Sequence, residues 1–188
     1  MKKTTKEEAE KAVRTLLNYI GEDPSREGLL ETPSRVIKSY TELFSGYDTS
    51  LDDVLNKRFG DVNKYNDMIL LKSISFTSVC EHHMLPFSGT VDIAYIPNGS
   101  VVGLSKLARL VEAYARRLQI QERMTSDIAE TLQEHLNPIG VAVKVSATHS
   151  CMAIRGATKP GSVMETTHFT GVYNTDHQKR QEFLSTIK

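Results

Sequence analysis

Both cysteines of this 188-residue chain have histidines close by. Cys80 is followed by His82 and His83, and Cys151 comes two residues after His149. A thiolate and an imidazole with two residues between them can chelate one ion from a turn, and zinc favours this mixture of sulfur and nitrogen ligands. The spacing therefore indicates a zinc site built from two distant segments.

A predicted strand before the second cysteine supports this hypothesis. Valines alternate with other residues over 141–146, as in a half-buried strand whose odd-numbered residues share one face. If the alternation continues, His149 and Cys151 lie on that same face. We therefore expect both side chains to point inward together.

The number of protein ligands decides what such a site does. If Cys80, His83 and Cys151 bind the ion, a fourth coordination position stays open, as in catalytic zinc sites. His82 and His149 then lie beside the metal as candidates for proton transfer, because imidazole titrates near neutral pH. Zinc in such a site lowers the pKa of water to about 7.

Two other interpretations of these residues stay open. A fourth histidine would complete a closed structural Cys2His2 site, and two buried cysteines would need no metal. Other zinc enzymes fit poorly, since the chain contains neither the His-Glu-x-x-His of metalloproteases nor the Pro-Cys-x-x-Cys of nucleoside deaminases.

A group of polar residues indicates a site for an anionic ligand. Ser105, Lys106 and Arg109 lie at the start of a predicted helix, where backbone N–H groups and the helix dipole favour anions. Arg35 and Arg155 would add guanidinium groups, which match phosphate oxygens. Taken singly, each residue is better explained as a solvated surface charge.

Gln121 and Glu122 begin the next predicted helix. An acidic residue stabilises the first turn of a helix, which explains Glu122 without any function. In a functional interpretation, a fixed carboxylate here accepts two N–H bonds from the edge of a guanine.

The spacing of apolar residues predicts an α+β fold. Two N-terminal helices, over 5–20 and 32–44, precede a long connection over 45–66. The order afterwards is strand, strand, helix, helix, strand, strand and a terminal helix. The expected positions are strands at 68–76 and 89–96 with a loop at 78–88, a helix capped by Ser105, a helix ending at Leu136, strands from 141 and over 163–172, and a helix over 176–187.

This order predicts an antiparallel four-stranded sheet with two helices on one face. We expect an N-terminal helical region over residues 1–66 and a catalytic region over 67–188, which form one compact unit.

Composition excludes several classes of protein. With 23 Lys and Arg against 23 Asp and Glu, the net charge is zero, which argues against general nucleic-acid binding. The apolar runs are too short to cross a membrane, and Lys6, Glu7 and Glu8 stand where a signal peptide needs apolar residues. We therefore expect a cytoplasmic protein without nucleic-acid or membrane partners, whose cysteines are reduced.

Several segments in one order resemble the zinc-dependent GTP cyclohydrolase I family over nearly the whole chain. The main one is Cys-Glu-His-His-Met-Leu-Pro-Phe-Ser-Gly at 80–89. The others are Glu-Thr-Pro-Ser-Arg at 31–35, Tyr-Ile-Pro at 95–97, Gly-Leu-Ser-Lys-Leu at 103–107, Gln-Ile-Gln-Glu-Arg-Met-Thr at 119–125, and His-Ser-Cys-Met at 149–152.

The resemblance implies a tunnelling fold, whose unit of two strands, two helices and two strands matches the predicted order. It implies a homo-oligomer, a decamer of two five-membered rings with active sites between subunits. It also implies one Zn²⁺ per subunit, held by Cys80, His83 and Cys151, with His82 and His149 handling protons.

The same resemblance implies GTP as the substrate. Water adds to C8 of the guanine, the ring opens, formate leaves, and ribose rearrangement gives 7,8-dihydroneopterin triphosphate, the entry to tetrahydrofolate and related pterins. Gln121 and Glu122 would grip the guanine and Ser105 would lie near the sugar. The residues implied to meet the triphosphate are Arg35, Lys106, Arg109 and Arg155.

Two alternatives remain beside this hydrolase. One is a zinc-stabilised assembly protein without turnover, which His82, His149 and Glu122 disfavour. The other is a related tunnelling-fold enzyme for another pterin or purine, which the Gln-Glu pair and the basic helix start disfavour.

Overall fold

The computed structural model describes residues 4–60 and 65–187. They group into two compact units, divided between Ser45 and Gly46. The beginning of the catalytic region after residue 66 stays a prediction, and residues 61–64 of the expected long connection lie outside the described part.

The first unit contains two helices, α1 (Lys6–Tyr19) and α2 (Thr32–Leu43), both as predicted. A capping box begins α1: the backbone N–H of Glu8 donates to Oγ1 of Thr5 (3.2 Å), and the backbone N–H of Thr5 donates to the Glu8 carboxylate (2.8 Å). Pro33 lies in the first turn of α2, where a helix does not need its missing N–H.

The second unit mixes strands and helices. Its elements in chain order are α3 (Leu51–Leu55), β1 (Arg58–Phe59), β2 (Ile69–Cys80), β3 (Pro86–Ile96), β4 (Val101–Val102), α4 (Leu104–Ala115), β5 (Leu118–Gln119), α5 (Gln121–Leu136), β6 (Gly140–His149), α6 (Ser150–Ala153), β7 (Val163–Phe169), α7 (Val172–Thr175) and α8 (His177–Thr186).

The long strands form the predicted antiparallel sheet, in the order β2, β3, β6, β7. The predicted order of two strands, two helices and two strands is confirmed, and the fold class is α+β. A fifth, two-residue strand was not predicted: β5 pairs in parallel with the last residues of β2, with Cys80 opposite Gln119. It is too short to leave a period in the sequence.

The two faces of the sheet bury different sets of residues. Odd-numbered residues of β3 and β6, including Ile93 and Val143, pack with apolar side chains of α4 and α5. Even-numbered residues, including Ala94 and Ala142, pack with side chains of the C-terminal segment such as Phe183. The strand alternation therefore separates two cores, and α4 and α5 share one face as expected.

Three local predictions are wrong. The stretch from 45 to 60 is not a plain connection, because it contains α3 and β1. The loop at 78–88 shrinks to a turn, because strand pairing continues to Val79 and Pro86. Ser105 does not cap α4; the N-cap is Gly103, and no side chain caps the helix. Among the described residues, no helix is both long and apolar enough to span a membrane.

Candidate functional site

A tight turn after β2 presents the first two candidate ligands. The backbone N–H of Cys80 donates to the carbonyl of Leu85 (2.9 Å), and that of Met84 donates to the carbonyl of Cys80 (2.8 Å). Met84 has a left-handed backbone conformation with φ of 52°, which reverses the chain before β3. The turn places Nδ1 of His83 at 3.9 Å from Sγ of Cys80.

The third candidate ligand, Cys151, comes from the helical turn α6. The prediction that strand alternation continues to this residue is wrong, because the strand β6 ends at His149. The thiol nevertheless reaches the expected place. The ligand atoms of Cys80, His83 and Cys151 all lie within 4.8 Å of one another.

This donor set fits a zinc ion. Tetrahedral zinc with bonds of about 2.0–2.3 Å places its ligand atoms about 3.5–4 Å apart, so small side-chain movements would close the site. Both cysteines are free thiols. Burial raises the pKa of the Cys151 thiol, and the nearby sulfur of Cys80 raises it further. A divalent cation would reverse this effect, because it stabilises both thiolates.

His82 lies beside the three converging residues without belonging to them. Its Nδ1 is 4.0 Å from Sγ of Cys80, but it is absent from the set that converges with Cys151. The His82 side chain is exposed. The structure therefore separates the two adjacent histidines, His83 within the donor set and His82 next to it.

The short strand β5 brings the start of α5 to the Cys80 turn. The backbone N–H of Glu81 donates to the carbonyl of Gln119 (3.0 Å). The Glu81 carboxylate also pairs with the guanidinium of Arg123, which lowers the pKa of Glu81. These two contacts hold the start of α5 against the turn that follows β2. Glu122 lies in the first turn of α5, between Gln119 and Arg123 in the sequence.

The side chain of Gln121 is buried, with 1% exposed. Its Oε1 lies 2.8 Å from Nε2 of His149. Its Nε2 faces three acceptors, the carbonyls of Val145 (3.1 Å) and Met164 (3.0 Å) and Oγ1 of Thr166 (3.2 Å). All its polar atoms have partners within the protein, so this side chain does not present a free group to a guanine.

His149 is held from two directions. Its ring stacks on Phe87 with the ring centroids 4.6 Å apart and the planes 3° from parallel. This contact follows from the sheet register, which pairs Phe87 with His149. Burial lowers the pKa of His149, and the negative charge of Glu122 partly offsets the effect. The neutral imidazole is therefore favoured.

The converging residues line a cavity of about 180 Å³. Pockets for whole small-molecule ligands are typically about 300–1,000 Å³, so this one is too small to enclose a whole ligand of that size. The cavity gathers all the candidate residues for metal binding and proton transfer, which are Cys80, His82, His83, His149 and Cys151. It is also lined by Gln121 and Glu122.

The basic residues at the start of α4 do not line this cavity. Ser105 and Arg109 are exposed. The ammonium of Lys106 donates to the carbonyl of Asp53 (3.4 Å) and the side-chain oxygen of Asn56 (3.3 Å). The structure thus keeps these predicted phosphate contacts together but outside the cavity.

The two remaining arginines lie in different units. Arg155 is exposed, and its charge opposes the raised pKa of Cys151, which places it near that thiol. Arg35 lies on α2 in the first unit, where it pairs with Glu31. With Lys6 and other residues, Arg35 lines a separate groove of about 530 Å³.

Sequence reasoning missed the residues that hold the site in place. Phe87 supports the His149 ring, the Glu81–Arg123 pair links the turn to α5, and Thr166 contacts Gln121. Only the pairing of distant strands brings Phe87 and Thr166 to the site. A single sequence offers no local signal for such contacts.

The chain is similar to known proteins over nearly its whole length. The family model described as GTP cyclohydrolase I matches residues 9–188. A protein of Rickettsia bellii (strain OSU 85-389) named GTP cyclohydrolase 1 is 60% identical over 185 residues, which cover 98% of this chain and 96% of the relative. The protein of the same name from Rickettsia prowazekii (strain Madrid E) is 58% identical over 187 residues, which cover 100% and 98%.

One solved structure shows a more distant similarity. It is the archaeosine synthase QueF-Like in the apo form, with a TM-score of 0.45 and 24% sequence identity. The match covers 55% of this chain and 93% of that chain.

Proposed function

The chain belongs to the GTP cyclohydrolase I family, and we propose that its cavity at Cys80, His83 and Cys151 is where GTP is opened. The enzyme acts on GTP, which it converts to 7,8-dihydroneopterin triphosphate and formate. The observation that carries the assignment of the site is the convergence of the three ligand atoms within 4.8 Å, beside His149 and Glu122.

The metal in this proposal is one Zn²⁺ per subunit. Two thiolates and one imidazole suit zinc, and three protein donors leave a coordination position for water or substrate. When bound, zinc supplies a Lewis acid that makes water a nucleophile near neutral pH. Two close thiols that are not joined in a disulfide also suit a reducing compartment, so we place the enzyme in the cytoplasm.

The reacting end of the substrate is assigned to the cavity. The exposed carboxylate of Glu122 accepts N–H bonds from the guanine edge. His82 and His149 move protons to and from the ring that opens. We assign the Gln121 side chain to support of His149 rather than to the guanine, because its polar atoms are already engaged.

The triphosphate is assigned to basic residues outside the cavity. A whole nucleotide does not fit in a cavity of about 180 Å³, so its phosphates extend beyond the space that this subunit encloses. Ser105 is placed near the sugar. The residues proposed to contact the phosphates are Lys106, Arg109, Arg155 and Arg35.

We propose that the enzyme assembles as a decamer of two pentameric rings, with active sites between subunits. The seven-residue strand β7 forms one edge of the sheet, and an uncovered edge offers backbone groups to another strand. The separation of the α4 residues from the cavity also supports a site that needs a second subunit.

Turnover of labelled GTP tests the proposed function. Purified, zinc-replete protein incubated with GTP carrying carbon-13 at C8 should release labelled formate, with an equal amount of a pterin that fluoresces after oxidation. ATP labelled at the same position should release none, because its base lacks the N–H groups that Glu122 accepts. Absence of labelled formate from GTP would contradict the proposal.

A further inference from the structure

We propose that Gln121 is a positioning residue that fixes the tautomer of His149, so that Nδ1 is the ring nitrogen that exchanges protons with the substrate. The inference deepens the proposed function and rests on it in one respect, the role of His149 in proton transfer. It assigns to Gln121 a task different from the guanine contact implied by resemblance.

The orientation of the Gln121 amide is fixed by its surroundings. Two of the three groups around its Nε2 are backbone carbonyls, those of Val145 and Met164, which can only accept hydrogen bonds. If the amide were reversed, its oxygen would face both carbonyl oxygens at about 3 Å, a repulsive arrangement. The NH₂ group therefore faces the carbonyls, and Oε1 faces His149.

A pair of hydroxyls supports the same orientation. Oγ1 of Thr125 donates to the backbone carbonyl of Gln121 (2.7 Å), which uses its only hydrogen. Thr166, 2.6 Å away, must then donate to Thr125, so the Thr166 oxygen is left to accept from Nε2 of Gln121. The direction of each hydrogen bond in this series is therefore fixed. A reversed amide would place Oε1 of Gln121 against the Thr166 oxygen, which has no hydrogen left to donate to it.

The fixed amide determines where the proton of His149 lies. Oε1 of Gln121 can only accept, so Nε2 of His149, at 2.8 Å, must carry the hydrogen. Turning the ring over would present Cε1 instead of Nε2 to Gln121, so this hydrogen bond also fixes the ring orientation, while Phe87 stacks on its face. In neutral His149, Nδ1 then carries a lone pair, and it has no hydrogen-bond partner among residues 4–60 and 65–187.

This tautomer leaves Nδ1 as the nitrogen that passes protons to and from the substrate. In the step that we propose, Nδ1 accepts a proton from the water that adds to C8. The water O–H bond breaks, the C8–O bond forms, and the electron pair of the C8=N7 bond moves to N7. N7 then takes the same proton from Nδ1, so that water has added across C8=N7 and His149 is neutral again.

The tautomer can be measured without turnover. Zinc-loaded protein labelled with nitrogen-15 in its histidines is studied by NMR at about pH 8.5, well above the usual imidazole pKa. The His149 signals are assigned by their loss in His149→Gln. The inference expects a hydrogen on Nε2 and a bare Nδ1, and a hydrogen on Nδ1 would overturn it whether or not any variant folds.

Variants test whether the tautomer matters. Gln121→Met keeps the length of the side chain but removes its hydrogen bonds, so the NMR signals should show a mixture of tautomers. With GTP as substrate, kcat should fall at least about tenfold, part of the 10²–10⁴ that a positioned acid–base group contributes. KM and zinc content should stay near the wild-type values.

Gln133→Met is the matched control. Gln133 lies on the same helix, donates to the carbonyl of Pro138 (3.1 Å) and accepts from Thr170 (2.7 Å), but does not touch the site. Its loss should lower Tm without changing kcat or the His149 tautomer. Equal loss of kcat in both variants, or an unchanged tautomer in Gln121→Met, would overturn the inference. A wild-type protein that shows the Nε2–H tautomer but does not turn over GTP would contradict the proposed function instead.

Discussion

At the scale of single residues, the candidate site is defined by the side chains whose ligand atoms converge. The thiols of Cys80 and Cys151 converge with His83, whereas the adjacent His82 stays outside that set. The sequence predicted these three residues as candidate ligands, from the short spacing of thiol and imidazole and from the resemblance to the family, and the structure brings them together. It did not indicate that Gln121 is buried beside His149, because a buried amide and an exposed one look the same in a sequence.

The proposed division between a metal ligand, Cys151, and a proton carrier, His82, predicts that their variants lose different properties. Cys151→Ser should lose zinc and activity together, because a serine hydroxyl is a poor replacement for a thiolate. His82→Ala should keep about one zinc per chain and lose activity roughly 100-fold or more, as expected for an acid–base group. Metal analysis of each purified variant, together with formate release from GTP, measures both quantities. Loss of zinc from His82→Ala would show that His82 is a ligand.

At the scale of elements, alternation and helical spacing predicted the long strands and helices, and they are confirmed. They did not predict β5, which has two residues, or α3, which has five, because neither is long enough to show a period. The end of β6 at His149 was missed for a related reason. Two of these features shape the site. The strand β5 places the start of α5 beside Cys80, and the helical turn α6, which follows the end of β6, brings Cys151 close to Cys80.

Because β3 pairs closely with β6, we expect no room for a side chain at Gly89. A Cβ at this position would lie 1.9 Å from the carbonyl oxygen of Ser146, a backbone atom that cannot move without breaking the pairing of Gly89 with Ala147. Gly89→Ala should therefore lower the free energy of unfolding by about 1–3 kcal/mol or more. Denaturant unfolding measures the change.

Gly60→Ala is the control for this substitution. Among residues 4–60 and 65–187, no heavy atom beyond Gly60 and its chain neighbours lies within 4 Å of a Cβ built at Gly60. Its effect should stay within about 0.5 kcal/mol, as for most surface substitutions. Equal stability of the two variants would show that β3 and β6 are not paired as described.

At the scale of the whole molecule, charge and composition proved compatible with a polyanionic substrate. The chain has no net charge, yet Lys106 and Arg109 lie one turn apart on α4, and Arg155 lies near Cys151. A family assignment follows from the sequence over almost its full length. The position of the proposed phosphate contacts relative to the cavity could not be predicted from the sequence; in the described chain the α4 residues do not line the cavity.

The central claim is that one metal ion per chain, bound at Cys80, His83 and Cys151, makes this protein a GTP cyclohydrolase. Zinc titrated into chelator-treated protein tests it most directly, with formate release from GTP as the measured rate. The account predicts no release without metal, a linear rise with added zinc and a plateau at one ion per chain. Full turnover by the metal-free protein would contradict it.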